Sequence, residues 1–296
     1  MAFQLHLALV HNTIETLYNR NSFARWLSTK SELETIDISP TIAYQPHEKV
    51  SIGASAIIEH AYANLKQFAV LNPAAPFIEG EVGVKGDDWS LGYNVGIMVE
   101  PFDTTRVGIS YRSKIKHTLV GDQTALATFP ATKADASLTM PDMATFAVAQ
   151  ELDDKWTLLG QAVWTGWNKF DRLTTSPDDP AGQVFDLVFN YQTTWAFSVG
   201  AEYEWNDQWT FRTGYQFDQT PTTDDYRSTI NPDGDRNWFS VGATYKLDDA
   251  WSVDLAATYI DIEEQEFSQT RGVANINGKT DDAYVGIVGA AVNFKF

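Results

Sequence analysis

Apolar and polar residues alternate with period two along much of this chain. Trp195, Phe197, Val199, Ala201 and Tyr203 interleave with Ala196, Ser198, Gly200, Glu202 and Glu204. From Trp209 the pattern repeats, with Phe211, Thr213, Tyr215 and Phe217 set against Thr210, Arg212, Gly214, Gln216 and Asp218. Phe239, Val241, Ala243, Tyr245 and Leu247 form a third such row, and Trp251, Val253, Leu255, Ala257 and Tyr259 a fourth. A strand turns successive side chains to opposite faces, so each segment has one apolar face and one small or polar face. Similar runs at 3–11, 33–46, 50–62, 89–100, 105–118, 143–152, 156–170 and 282–296 bring the prediction to about twelve strands. The nearest helical period lies at 56–67, where Ile57, Ile58, Ala61 and Leu65 suit a short helix following a strand.

The connections sort by length. Short ones fall at Pro46–Lys49, Phe102–Thr104, Asp153–Lys155, Asn206–Gln208 and Asp248–Ala250; long ones span 12–32, 66–87, 119–140, 172–192, 219–235 and 265–281. Outer-membrane barrels alternate short periplasmic turns with long external loops in this way. Aromatics flank the short turns: Tyr203 and Trp205 precede one and Trp209 follows, and Trp251 follows another after Tyr245 and Leu247. That is the depth of an interfacial aromatic girdle. The last strand places Tyr284, Gly286, Val288, Ala290, Val292, Phe294 and Phe296 on one face, ending on an aromatic. A soluble sandwich or propeller accounts for the period and the aromatics, but not for the alternating loops or the aromatics at turn level.

Composition sharpens this reading. The 296 residues carry 21 Lys+Arg against 39 Asp+Glu, a net charge of −18, which excludes a nucleic-acid partner. With no cysteine there are no disulfides, thiol nucleophiles or thiolate metal sites. A helical span needs about 18 consecutive apolar residues, and Val285 to Val292 is far shorter. Mean hydropathy is −0.26, which by itself suggests solubility, yet 10 Trp, 12 Tyr and 17 Phe sit in the chain. Both facts suit a barrel whose lipid-facing residues alternate with lumen residues.

Several segments resemble the FadL-type family of outer-membrane transporters for long-chain fatty acids and other hydrophobic compounds. They are Gly86-Asp87-Asp88-Trp89-Ser90-Leu91-Gly92-Tyr93-Asn94-Val95-Gly96 with Glu100-Pro101, and Thr105-Arg106 through Ser113-Lys114 with His117. Met140-Pro141-Asp142 with Trp156 and Trp164-Thr165-Gly166-Trp167 and Phe170 looks like the next hairpin. Asp218 to Pro221, Arg227, and Pro232-Asp233-Gly234-Asp235-Arg236 with Trp238 and Ser240 resemble the family's most recognisable loop and strand. The resemblance covers about residues 13–296. It implies an all-β, antiparallel transmembrane barrel of fourteen strands with an amino-terminal plug, in the bacterial outer membrane. It further implies passive transport: capture by external loops, a site in the lumen, and lateral release through the wall. The expected partners are a long-chain fatty acid or other hydrophobic small molecule, with outer-membrane lipid and lipopolysaccharide around a monomer.

The chain departs from that pattern. No plug segment or secretory signal is readable before the first strand, Asn72-Pro73-Ala74 falls in a long loop, and two barrel strands are wanting. The expectation is an amino-terminally truncated member in which 1–296 is one barrel domain. Residues 1–32 would supply a partial first strand and external loop, and 33–296 eleven further strands.

The alternation around Val107, Ile109 and Tyr111 predicts a basic row of Arg106, Arg112, Lys114 and Lys116 facing the lumen. Arg112 and Lys114 are candidate carboxylate ligands, or alternatively lumen ion pairs with Glu100, Glu202 or Asp218. Trp164, Trp167 and Phe170 suit a hydrophobic path near the outer rim, or girdle duty. Arg236 is the remaining candidate for substrate. Asp233, Asp235 and Arg236 suggest a hydrogen-bonded turn more than calcium, since the twelve-residue calcium-loop pattern is absent; no metal or cofactor is expected. The five histidines stand apart from any nucleophile motif, so the expected class is not an enzyme. The rival reading is a general diffusion porin or structural barrel.

Overall fold

The structure, a computed structural model, describes residues 2–72, 78–124, 131–180, 184–228, 230, 233–271 and 274–294. The strands are β1 (Ala2–Leu17), β2 (Lys30–His47), β3 (Val50–Asn72), β4 (Ile78–Phe102), β5 (Thr105–Arg112), β6 (Ile115–Thr124), β7 (Thr132–Met140), β8 (Met143–Glu151) and β9 (Trp156–Thr165). They continue with β10 (Arg172–Pro177), β11 (Asp186–Val188), β12 (Thr194–Glu204), β13 (Trp209–Asp218), β14 (Arg236–Lys246), β15 (Trp251–Ile262), β16 (Gln265–Arg271), β17 (Ala274–Thr280) and β18 (Ala283–Phe294). The wall runs β1-β2-β3-β4-β5-β8-β9-β12-β13-β14-β15-β18, each neighbouring pair antiparallel. Phe296, Pro232 and the Pro73-Ala74 pair lie outside the described residues.

Outward positions of the wall are apolar and exposed, as in Val95 and Ile97 on β4, Phe197 and Val199 on β12, and Leu255 and Tyr259 on β15. Water would penalise such a surface; lipid does not. Three of the short turns share one construction. Asp153 Oδ1 accepts from the Lys155 and Trp156 amides, Asn206 Oδ1 from Gln208 and Trp209, and Asp248 Oδ1 from Ala250 and Trp251. Each is an Asx-turn that closes a hairpin and hands the chain to a tryptophan. Those tryptophans pair across the ladder with aromatics: Trp156 with Tyr203 at 4.5 Å, Trp209 with Tyr245 at 4.7 Å, and Trp251 with Phe294 at 4.6 Å between ring centroids. The aromatic belt is thus a set of cross-strand pairs.

Three sequence expectations are corrected. Residues 56–67 are strand, because their pairing with both β2 and β4 supplies hydrogen bonds that a helix would forgo. The stretches 66–87, 119–140 and 265–281 are largely strand, not loop, and 172–192 holds the short strands β10 and β11: β3 and β4 run on together well past the wall, β16 and β17 pair as a hairpin, and β6, β7, β10 and β11 form a second sheet joined to the outer end of β4. The segment 105–118 breaks at Ser113 and Lys114. There β4 exchanges its partner β5 for β6, and the Ser113 hydroxyl accepts from the Tyr93 amide. Arg112 faces inward before the break and Ile115, His117 and Leu119 after it, so Lys116 and Thr118 are turned outward. Two residues that leave the ladder invert the alternation. The expected basic row therefore ends at Arg112.

The second sheet folds back over the mouth of the lumen. Its inward residues Leu119, Ala136, Leu138, Leu173 and Leu187 pack with Ala61 and Ala63 of β3 and with Ile230. Each fully buried leucine contributes about 2 kcal/mol of hydrophobic burial, so the roof is held on by its own apolar core. Gly121 admits β6 to the ladder, since a Cβ there would lie 2.6 Å from the Gly86 Cα and closer still to the Lys85 carbonyl oxygen.

Candidate functional site

Beneath this roof lies an apolar cavity of about 160 Å³. Leu33 and Leu65 form its floor, Leu138 and Leu173 its ceiling, and Trp167, Phe170, Phe189 and Tyr191 one side; Asp233 and Arg236 close an end. The aromatic side is a single cluster. Phe170 stacks on Tyr191 with centroids 5.5 Å apart and 14° between planes, meets Phe189 at 5.0 Å, and meets Trp167 edge-on at 6.1 Å. Trp167 is placed by a short 3₁₀ turn, Trp167–Lys169, that begins where the Gly166 amide donates to the Asp142 carbonyl at 2.9 Å. A Cβ at Gly166 would lie 2.2 Å from Asp142 Oδ1, so any larger residue there would push the Asp142 side chain aside.

The polar end is built from β13 and β14. Arg236 pairs with Asp218 at 3.1 Å and lies 3.8 Å from Asp233. Asp233 in turn accepts from the Thr220 hydroxyl at 2.8 Å, and Asp235 accepts from the Thr220 amide at 2.8 Å. These acids anchor the loop ahead of β14, the turn role anticipated for them. Arg236 Nε and Trp238 Nε1, on the same inward face of β14, are buried with no hydrogen-bond partner among the described residues. Of these two donors Arg236 Nε lines the cavity, and an unpaired buried donor there suits a ligand that carries an acceptor.

Of the residues singled out from sequence, the structure brings Trp167, Phe170 and Arg236 together in this cavity. The others lie elsewhere. Trp164 pairs with Trp195 and Ala144 on the outward face of the wall. Lys114 is exposed in the break between β5 and β6. Arg112 pairs with Asp37 at 2.9 Å and Glu59 at 2.8 Å, below the cavity. The ion-pair alternative raised for it holds, with partners on β2 and β3 instead of Glu100, Glu202 or Asp218. Glu202 pairs with Arg212 at 2.5 Å, and Arg106 lies 3.5 Å from Glu151. His117 is not isolated: it is fully buried between Glu59 and Asp88. Leu138, Leu173, Phe189 and Tyr191 were missed. Apolar alternation at Ala134, Ala136 and Leu138 was the available signal, hidden inside a stretch taken for loop.

An all-β wall with a lipid-facing apolar surface, an aromatic belt at its short turns and a roofed apolar site defines a bacterial outer-membrane β-barrel. The comparisons agree. Residues 1–296 match the family described as "Outer membrane protein transport protein (OMPP1/FadL/TodX)", and the chain belongs to that family. It is 26% identical over 300 residues to the long-chain fatty acid transport protein of Escherichia coli O6:H1, covering 88% of this chain and 66% of that protein. A crystal structure of a Pseudomonas aeruginosa FadL homologue is similar with a TM-score of 0.86 at 25% identity, over 98% of this chain and 73% of that one. The Ralstonia pickettii toluene transporter TbuX shares the fold, with a TM-score of 0.70 at 17% identity over 99% and 78% of the two chains. The chain spans about half to two thirds of the length of the curated relatives it matches.

Proposed function

We propose that this chain is a single barrel domain that carries hydrophobic small molecules, long-chain fatty acids foremost, across the outer membrane by passive diffusion. The observation that carries the proposal is the cavity beneath the roof, lined mostly by apolar and aromatic side chains with Ser31, Glu32, Asp233 and Arg236 as its polar members, where Arg236 Nε lacks an acceptor. A carboxylate placed there accepts from Arg236 Nε, and its alkyl chain lies along Phe170 and Leu138. A cavity of about 150 Å³ with apolar walls accommodates a benzene ring, so 160 Å³ takes the first part of a chain or one aromatic ring. The remainder of a long chain extends out of the cavity.

A second reading, a general diffusion channel, draws on the wall's lumen. Below the cavity a cleft of about 740 Å³ is bordered by the small inward residues Gly108, Ala147, Ser198, Gly214, Ser240 and Gly242. The two readings separate in one experiment. The chain is expressed behind an export signal in a strain lacking its own fatty-acid transporter, labelled oleate uptake is measured, and the purified protein is tested in planar bilayers. Oleate uptake with little steady conductance supports the transporter. Large steady conductance without oleate uptake overturns it in favour of the channel.

A further inference from the structure

Five charged side chains from five adjacent strands meet on the inward face where β4 changes partner: Asp37, Glu59, Asp88, Arg112 and His117. His117 is wholly buried, with Nε2 2.8 Å from Glu59 Oε1 and Nδ1 3.0 Å from Asp88 Oδ2. A neutral imidazole has one N–H and one lone pair. Flanked by two carboxylates, it can satisfy only one contact and sets its lone pair against the other. The imidazolium donates to both. Arg112 does not supply the missing cation, because its Nη2 is already shared by Asp37 and Glu59, and Asp37 Oδ1 is buried with no partner.

Among the described residues, the ring's ion-pair partners are these two carboxylates. Glu59 comes from β3 and Asp88 from β4. On β7 the residue directly opposite His117 is Leu138, and that strand's charged residues Lys133 and Asp135 pair farther along, with Asp122 and Val120. The ring is held by the two carboxylates, and Leu138, which lines the cavity, is its cross-strand neighbour on the same inward face.

We propose that His117 is a positioning residue, held as an imidazolium between Glu59 and Asp88, and that this proton fastens the roof to the wall and seats Leu138 in the cavity. Loss of the proton leaves a lone pair facing a carboxylate in a buried site, and the β6–β7 hairpin loosens at the break. The contact is thus present at low pH and lost as pH rises. The link to ligand affinity rests on the cavity being the substrate site; the link to the roof does not.

Hydrogen exchange of β6 and β7 peptides in the detergent-solubilised protein at pH 6 and pH 9, corrected for the intrinsic rate, tests the roof. The expected result is protection falling by about tenfold or more from pH 6 to pH 9, with protection of β12–β13 unchanged. Glu59→Gln supplies a control that separates a proton from mere packing. Its amide nitrogen donates to His117 Nε2 while its oxygen still accepts from Arg112, so a neutral ring donating to Asp88 is fully paired. In Glu59→Gln the pH dependence should vanish with protection retained at both values. Equal wild-type protection at pH 6 and pH 9, or a Glu59→Gln protein with the wild-type pH dependence, overturns the proposal. Should Glu59→Gln not fold, nitrogen-15 imidazole shifts of the wild type decide it: one ring with both nitrogens protonated at pH 7.5 supports it, and none overturns it. Dodecanoate affinity measured alongside should weaken several-fold at pH 9. If the roof loosens but dodecanoate binding is absent at both values, the site reading fails and the latch stands.

Discussion

Replacing Arg236 by Gln tests the polar end of the cavity. In the wild type, Arg236 has one pairing with Asp218 at 3.1 Å, a longer contact with Asp233, and an unpaired buried Nε. A bound carboxylate would accept from Nε. A hydrogen bond to a charged group contributes about 1.5–3 kcal/mol, and a neutral one about 1 kcal/mol. Arg236 is 28% exposed, which discounts the long-range attraction further, as does competition from Asp218 and Asp233. The net loss in Arg236→Gln is therefore about 2 kcal/mol, or roughly 30-fold in the dissociation constant for dodecanoate. Toluene, which has no acceptor, should bind within about twofold of wild type, since the apolar walls are untouched. Titration calorimetry in detergent micelles with both probes gives the comparison. Leaving Asp218 without its cation can disturb the loop, so Arg236→Gln with Asp218→Asn serves as a second, charge-balanced variant. Equal losses for both probes, or an unchanged dodecanoate constant in both variants, refutes the assignment of a carboxylate to this end.

Three further outcomes follow from the packing. Leu138→Ala removes a side chain that is 3% exposed, and should destabilise the roof by about 2–4 kcal/mol; hydrogen exchange of β6 and β7 reports it, and exchange unchanged from wild type contradicts the roof's apolar core. Phe170→Ala breaks three ring contacts of about 0.5–1.5 kcal/mol each. It should weaken toluene and dodecanoate binding together by tenfold or more, so a loss confined to one probe argues against a shared aromatic wall. Asp248→Ala deletes both acceptor contacts of an exposed Asx-turn. It should slow folding into detergent micelles, followed by heat-modifiable gel mobility, while leaving affinities unaltered; an affinity change would count against the turn being remote from the site.

The wall was legible in the sequence for a specific reason. Its strands have lipid on one side and a lumen on the other, so the apolar face alternates cleanly at Trp195 to Tyr203 and Trp251 to Tyr259, and the turns are too short to hide their ends. The roof obeys different rules. Leu119, Leu138, Leu173 and Leu187 alternate too, but their outward neighbours Val120, Ser137 and Thr174 are neither consistently polar nor apolar, and their strands are short. Length then made 119–140 and 172–192 look like loops. The site was half legible for the same reason. Trp167, Phe170 and Arg236 stand near motifs, whereas Leu138, Phe189 and Tyr191 gain meaning only when the roof folds back. For Arg112 the sequence left ligand and ion pair both open, because its partners Asp37 and Glu59 are far away in sequence and no local spacing announces them.

One strand shows how these levels divide the labour of the molecule. The inward face of β3 reads Ser51, Gly53, Ser55, Ile57, Glu59, Ala61, Ala63 and Leu65 from the turn outward. Small and polar residues line the lumen, one buried acid marks the break, and apolar residues line the roofed cavity. An apolar solute in the cavity is therefore separated from the lower lumen by the belt of Asp37, Glu59, Arg112, Asp88 and His117. It gains nothing by burying methylenes against ionised groups, each of which is costly to strip of its partners. Under the proposed function, the cavity accordingly binds such a solute more readily than the lumen below conducts it. On that proposal, residence in the cavity and escape from it are set by different residues: the aromatic cluster and Arg236 govern the first, and the belt governs the second. Substitutions in the two groups should separate equilibrium affinity from uptake rate, with Phe170→Ala lowering both and Glu59→Gln at neutral pH changing uptake while dodecanoate affinity stays within about twofold. Uptake assays on cells set against calorimetry on the purified protein would show that split, and a Glu59→Gln protein with unchanged uptake would mean that the belt is no barrier.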